Sequence, residues 1–245
     1  HAKAQKHYED KKVKKQKLRK IQLLGIIENL KATIKNLKIN QETEWANYYN
    51  DTNYSDIAEK EKCIIVKNFL KKCSSEMVID LGANDGRFSE IAAENSYVVS
   101  MDIDPIAVNN NYLKYNPKII PIVTNLANPS PAIGWNNNER KSLFDRIKNN
   151  TCIALALIHH LRITHGIPLE NQFEVFSKIA KFLIIEFVPK EDSQVKRLLQ
   201  NRDDVFDDYD IKTFERVAFK NFENIEYLEV KDSLRKIYLM KNKLI

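Results

Sequence analysis

Met77-Val78-Ile79-Asp80-Leu81-Gly82-Ala83-Asn84-Asp85-Gly86-Arg87-Phe88 is the stretch that decides the fold. Met77 to Leu81 is a short apolar run broken only by one acid, the pattern of a strand buried on both faces. Gly82 to Gly86 makes a tight turn, and Arg87 to Glu94 reads as the helix after it. A second apolar run, Tyr97 to Met101, ends in Asp102, 22 positions beyond Asp80. A strand, a glycine turn, a helix and a second strand closed by an acid form the layout of a nucleoside-binding site.

The residue types follow from what such a ligand demands. Gly82 permits close backbone approach at the strand's end, and Gly86 lets the helix pack tightly on the strand. Asp102 can accept both hydroxyls of a ribose. Ala83, Asn84, Arg87 and Ile103 complete the expected cofactor wall. The turn is Gly-x-x-x-Gly rather than the Gly-x-Gly-x-x-Gly of dinucleotide enzymes, and Asp80 would repel a pyrophosphate. An acid there suits a ligand with an ammonium group, and S-adenosylmethionine (SAM) carries a ribose, an ammonium and a sulfonium.

This stretch resembles the first two motifs of class I SAM-dependent methyltransferases. Asp80-Leu81-Gly82-Ala83-Asn84-Asp85-Gly86 matches Asp-x-Gly-x-Gly-x-Gly except at its middle glycine, which is Asn84, the residue type other than glycine that best tolerates a positive φ. The resemblance implies SAM as cofactor, with S-adenosylhomocysteine as its product. It also implies a Rossmann-like seven-stranded α/β sheet of order 3-2-1-4-5-7-6 with strand 7 antiparallel. The rest of the chain supplies the parts. Ile119 to Val123, Thr151 to Ile158 and Phe182 to Val188 read as strands three to five. Asp104-Pro105 opens a helix to about Tyr115, residues 169 to 180 and 192 to 199 read as helices, and Leu143, Phe144 and Ile147 suggest a short one. A turn at Phe206 to Asp210 leads into a helix to Phe222, and Ile225 to Val230 with Lys236 to Met240 form a hairpin.

After the third strand the class often places an Asp that bonds the adenine amino group. Here Asn125 stands in that position, with Leu126 to cover the ring. Trp135, in the insertion that follows, either caps the pocket or packs. The fourth strand runs into His159-His160, where ligands of open α/β sheets bind. A near-neutral imidazole can take the proton of a hydroxyl, so His159 or His160 is expected as base or acceptor-positioning group. Convergence of His159, His160, His165 and Glu186 on a metal is the alternative for these residues. Chains that methylate planar nitrogens often carry Asn/Asp-Pro-Pro-Tyr/Phe at this point, and Ile158-His159-His160-Leu161 departs from it.

From Glu44 to Lys241 the chain also resembles the nodulation-protein-like bacterial methyltransferases. The resembling pieces are Thr43 to Tyr49, Asp51 to Ser55, Asn128-Pro129-Ser130-Pro131, Leu155 to Leu161 and Glu186-Phe187-Val188-Pro189-Lys190. The resemblance favours a hydroxyl-bearing acceptor, a small molecule or a glycan. Trp45, Tyr49, Tyr54 and Glu186 are the expected acceptor contacts. The aromatic segment 44–54 lines the pocket or packs in the core, and Ser55 is the expected N-cap of a helix to about Lys72 whose core face holds Ile57, Ile64, Ile65, Phe69 and Leu70.

The charge is divided unevenly. Residues 1–40 hold 12 Lys and Arg against 3 Asp and Glu, a net +9, whereas the remainder holds 27 against 30, a net −3. The division expected is a basic helical arm over 1–42 and a catalytic domain over 43–245. Leu23, Ile27, Leu30, Ile34 and Leu37 recur at alternating spacings of four and three, a heptad-like stripe that packs on the domain or on a second copy in a homodimer. An RNA or protein target docking on the basic arm is a second reading of function, and a SAM-binding scaffold without catalysis is a third. The first residue is not Met and falls in a charged helical pattern, so the expectation is a piece of a longer chain with His1 a tag remnant. No run reaches the about 18 apolar residues of a membrane span, and the odd set Cys63, Cys73 and Cys152 lacks metal-ligand spacing. A cytoplasmic protein with buried thiols is the expectation.

Overall fold

The computed structural model describes residues 18–37, 56–148 and 150–244. The chain divides into two units, His1–Gln41 and Glu42–Ile245. In the first, α1 (Lys20–Asn36) carries the apolar stripe, and all of its residues are exposed. Gln22 accepts the Arg19 N–H at 2.8 Å and so closes its first turn.

The second unit runs α2 (Asp56–Cys73), β1 (Met77–Leu81), α3 (Arg87–Ala93), β2 (Tyr97–Asp102), α4 (Pro105–Leu113), β3 (Ile119–Val123), α5 (Leu143–Arg146) and β4 (Asn150–Ala154). There follow α6 (Leu169–Ile179), β5 (Ala180–Phe187), α7 (Ser193–Leu199), α8 (Ile211–Asn221), β6 (Phe222–Glu229) and β7 (Lys236–Asn242). The seven strands lie in the order β3-β2-β1-β4-β5-β7-β6. Strands β1 to β5 are parallel and β7 is antiparallel to both neighbours, as the strand pattern implied.

Alternation along the parallel strands divides the core into two layers. Ile79, Cys152 and Leu183 stand level across β1, β4 and β5 and pack with Phe173, Phe176, Phe214 and Val217 of α6 and α8. Their neighbours Val78, Ile153 and Ile184 face the other way, onto Val66 and Phe69 of α2 and Phe88 and Ala92 of α3. Three helices start on an aspartate cap. Asp104 accepts from Ile106 N, Asp192 from Gln194 N, and Asp210 from Lys212 N and Thr213 N.

Three expectations are corrected. Helix α2 buries Ala58, Lys62, Ile65, Val66, Phe69 and Cys73, while Ile57 and Ile64 are exposed. Ile65, Phe69 and half-buried Leu70 stand on the core side as expected, and the places read for Ile57 and Ile64 are taken by Ala58, Lys62 and Val66. Strand β4 stops at Ala154 rather than Ile158, because Ala156 takes a left-handed conformation (φ 48°) that a strand cannot continue through. Trp135 neither caps nor packs: it is 87% exposed, on a turn where Asn136 and Asn137 are left-handed. Cys73 and Cys152 are buried and Cys63 half-buried, none in a disulfide. No described helix is long and apolar enough to cross a membrane.

Candidate active site

A cavity of about 330 Å³ opens beyond the carboxyl ends of β1 to β4, where ligands of open α/β sheets bind. The first turn after β1 forms one wall. Gly82 (φ 73°) and Ala83 both donate to the Met101 carbonyl, at 2.8 and 2.9 Å. Asn84 sits at φ 50°, the left-handed conformation its residue type tolerates. Its backbone N–H donates to Asp102 at 2.7 Å, and the Asp104 N–H donates to the other Asp102 oxygen at 2.9 Å. The acid is thereby fixed, and each oxygen keeps a lone pair for a ligand hydroxyl. Burial raises the Asp102 carboxyl above its usual range. Asp80, 3% exposed, accepts from Ser89 Oγ at 2.6 Å, and burial pushes its pKa up to about 7, with Asp102 adding to the rise.

The remaining expected donor residues separate into wall and scaffold. Gly82, Asn84, Asp80, Asp102, Ile103, Asn125 and Leu126 all line the cavity. Asn125 accepts the Ala127 N–H on its Oδ1 at 2.9 Å, which leaves its amide N–H donors and one lone pair to offer a ring. Ala83 and Gly86 lie behind the wall. A Cβ at Gly86 (φ 87°) would come within 2.3 Å of the Asn111 side chain, so this glycine is required by the packing of α3 and α4. Arg87 pairs with Glu59, and it is Glu59 that reaches the cavity.

The opposite wall is built by the chain leaving β4. Leu155, Ala156 and Leu157 line it, and Leu157 Cδ1 would lie 3.1 Å from a Cβ placed on Gly82. The Leu157 carbonyl accepts from His160 N at 3.0 Å and Leu161 N at 3.2 Å, starting a wide π-type turn over His160–Thr164. Such turns concentrate at functional sites. The turn puts His160, Thr164 and His165 on the cavity wall. Burial lowers the His160 pKa to about 4, helped by His165 and Arg235. His159 points inward instead. It is 1% exposed, neither ring nitrogen has a hydrogen-bond partner, and its centroid is 4.2 Å from that of His160. Burial holds it far below the usual histidine range, with His160, Arg235 and Lys62 adding to the effect, so it is neutral.

Glu186 does not stand on the wall. Its side chain is fully enclosed; one oxygen accepts from Lys62 Nζ and from the Ala156 N–H, both at 2.7 Å, and the other lies 3.7 Å from Arg235. Arg235 in turn donates to Asp192 at 2.7 Å. Lys62 is the residue that sequence reasoning missed. It is 4% exposed, lines the cavity beside Phe88, and burial lowers its pKa. It falls four residues after Ala58 and three before Ile65 on the buried face of α2, where a polar residue type gives no apolar signal. Among the described residues no group of three or more His, Cys, Asp or Glu could hold a metal ion. Trp45, Tyr49 and Tyr54 lie outside the described residues.

The strand order, the glycine turn and the acid after β2 together define the class I SAM-dependent methyltransferase fold, and solved structures of that class superpose on this chain. The N-methyltransferase NodS of Bradyrhizobium japonicum WM9, in complex with S-adenosylhomocysteine, matches with a TM-score of 0.58 at 12% identity, over 83% of this chain and 94% of its own. Magnesium protoporphyrin IX methyltransferase ChlM of Synechocystis PCC 6803, with bound SAM, matches with a TM-score of 0.54 at 12% identity, over 89% and 96%. No family model matches the chain. In sequence, the chain is similar to nodulation protein NoeA of Rhizobium meliloti, at 32% identity over 197 residues. That alignment takes in 78% of this chain and 41% of the relative, so the chain spans less than half the length of NoeA.

Proposed function

We propose that the second unit is a SAM-dependent methyltransferase acting on a hydroxyl of a small molecule or a glycan. One observation carries the reading: a single cavity joins the carboxylates of Asp80 and Asp102 to the His160 ring. The residues fit the cofactor. Asp80 offers an anion to the ammonium of an amino acid, Asp102 offers both oxygens to a ribose, and Ile103 and Leu126 offer apolar faces to a purine beside Asn125. When bound, SAM supplies a methyl group on a positively charged sulfur. The protein's share is alignment and proton removal.

His160 is the acceptor-side base in this reading. Burial keeps its imidazole neutral, so it accepts the proton of the attacking hydroxyl as the C–O bond forms. A methylated oxonium is far more acidic than an imidazolium, so a base of lowered pKa still draws the proton. The nearby cations Lys62, Arg162 and Arg235 are each committed to an acid, Glu186, Asp208 and Asp192 respectively. That favours a neutral acceptor group over a phosphate or carboxylate. NodS, an N-methyltransferase by name, shares the fold at an identity too low to carry its acceptor across.

Calorimetric titration with S-adenosylhomocysteine tests the donor site; a flat trace at saturating ligand sinks it. His160→Ala is expected to spare that binding and to lower methylation of a hydroxyl acceptor by roughly 100-fold or more. The net charge of +9 on residues 1–40 supports a second reading, an RNA or protein target held by the basic arm. Under it, removing those residues abolishes methylation of that target, and target binding falls steeply with salt.

A further inference from the structure

We infer that Glu186 is a positioning residue, holding Ala156 in its left-handed conformation and thereby setting both the donor and the acceptor walls of the cavity. The inference rests on the proposed donor site and begins from an outlier. Ala156 has φ 48°, a conformation that side chains other than Gly, Asn and Asp rarely take. Its N–H is directed at a carboxylate oxygen of Glu186, 2.7 Å away on the neighbouring strand. A charged acceptor gives one of the stronger hydrogen bonds available to a backbone amide. Here the acceptor is fully buried and is itself steadied by Lys62.

Two consequences follow, both through Leu157. The course of the chain after Ala156 sets Leu157 beside Gly82, where a Cβ on the glycine would lie 3.1 Å from Leu157 Cδ1. The Leu157 carbonyl then anchors the N–H groups of His160 and Leu161, the start of the turn that brings His160 to the cavity. Glu186 does not line the cavity itself; it meets the lining from behind, at Ala156 and Lys62. It acts through one residue whose conformation would relax without it, as strained backbone at functional sites is held by its surroundings. Reading Glu186 as an acceptor contact therefore gives way to a structural role inside the same site.

The test is a double-mutant cycle read by titration with S-adenosylhomocysteine, with Glu186→Gln, Ala156→Gly and the pair. Glu186→Gln is expected to bind about tenfold more weakly, the scale of a left-handed penalty at a non-glycine residue. Ala156→Gly alone sets the reference for the pair, since glycine needs no help to hold that conformation. In the pair, Ala156→Gly restores most of the lost affinity. A merely structural lesion at Glu186 is not repaired by adding a glycine, so a pair as weak as Glu186→Gln overturns the inference, as does an unchanged Glu186→Gln. Should Glu186→Gln not fold, amide hydrogen exchange in the unaltered protein decides. Strong protection of the Ala156 N–H supports the bond, and exchange at the free-peptide rate overturns it. That measurement is independent of the ligand, so failure of the unaltered protein to bind S-adenosylhomocysteine would count against the proposed function alone.

Discussion

At the β1–β2 end of the cavity, Asp102 is held by backbone N–H groups from its own turn and from the glycine turn. At the β4–β5 end, Glu186 is held by charged side chains from α2 and from the turn before β7. The first is local: every partner lies within 18 positions in sequence. The second is long-range, with Lys62 124 positions from Glu186. Local construction survives the loss of one contact, because the backbone remains in place. A buried ion cluster does not, since removing one member strands the charge of another.

The sharpest way to break this contrast is Lys62→Met. It leaves Glu186 enclosed with a weakened counter-charge and is expected to cost about 3–5 kcal/mol of stability, seen as an earlier midpoint in urea unfolding. Asp102→Ala removes a half-buried acid on the local side. It is expected to unfold close to the parent in urea while losing about 2–3 kcal/mol of affinity for S-adenosylhomocysteine, roughly 100-fold, through its hydrogen bonds to a ribose. If the two variants lose similar stability, the distinction between the ends fails.

A smaller effect comes from pH. Asp80 must be ionised to meet an ammonium, and its pKa stands at about 7 in the free protein. Affinity for SAM is therefore expected to rise about tenfold from pH 6 to pH 8, and Asp80→Asn should remove that dependence while binding weakly throughout. The sign reverses for the free fold. A carboxyl whose pKa is raised on folding favours the native state at low pH, and that contribution is lost as pH rises from about 4 to about 7. His159 acts oppositely, because its lowered pKa supports the fold above the ordinary histidine range and ceases to as pH falls below it. The smallest expected effect is on packing at the local end. Gly86→Ala should destabilise by about 1–2 kcal/mol from its left-handed φ alone, with Asn111→Ala in the same chain relieving the added steric clash.

The two ends also differ in how well the sequence announces them. Asp80, Gly82, Asn84 and Asp102 lie in one continuous stretch whose spacing reflects a single strand–turn–helix–strand unit, and the strand order followed from the family resemblance that this stretch carries. Lys62 was hidden because a lysine counts as polar in any apolar pattern, although its carbon stem and ion pair make it an interior residue. That one substitution also turned the reading of α2 toward Ile57 and Ile64. The early end of β4 was hidden for a related reason. Leu155-Ala156-Leu157-Ile158 is apolar enough to extend the strand, and what stops it is a bond to an acid 30 positions away. His159 and His160 are adjacent and chemically alike; the turn after β4 sends one to the cavity and one into the core, a choice no spacing rule carries.

Gly86 has a consequence for how such chains diversify. Its missing Cβ makes room for Asn111, whose amide bonds Ser100 inside β2. A descendant that abandoned the ligand entirely would still be obliged to keep this glycine for as long as it kept that asparagine. Persistence of the motif's last letter therefore testifies to architecture, and loss of activity would leave its first trace at Asp102.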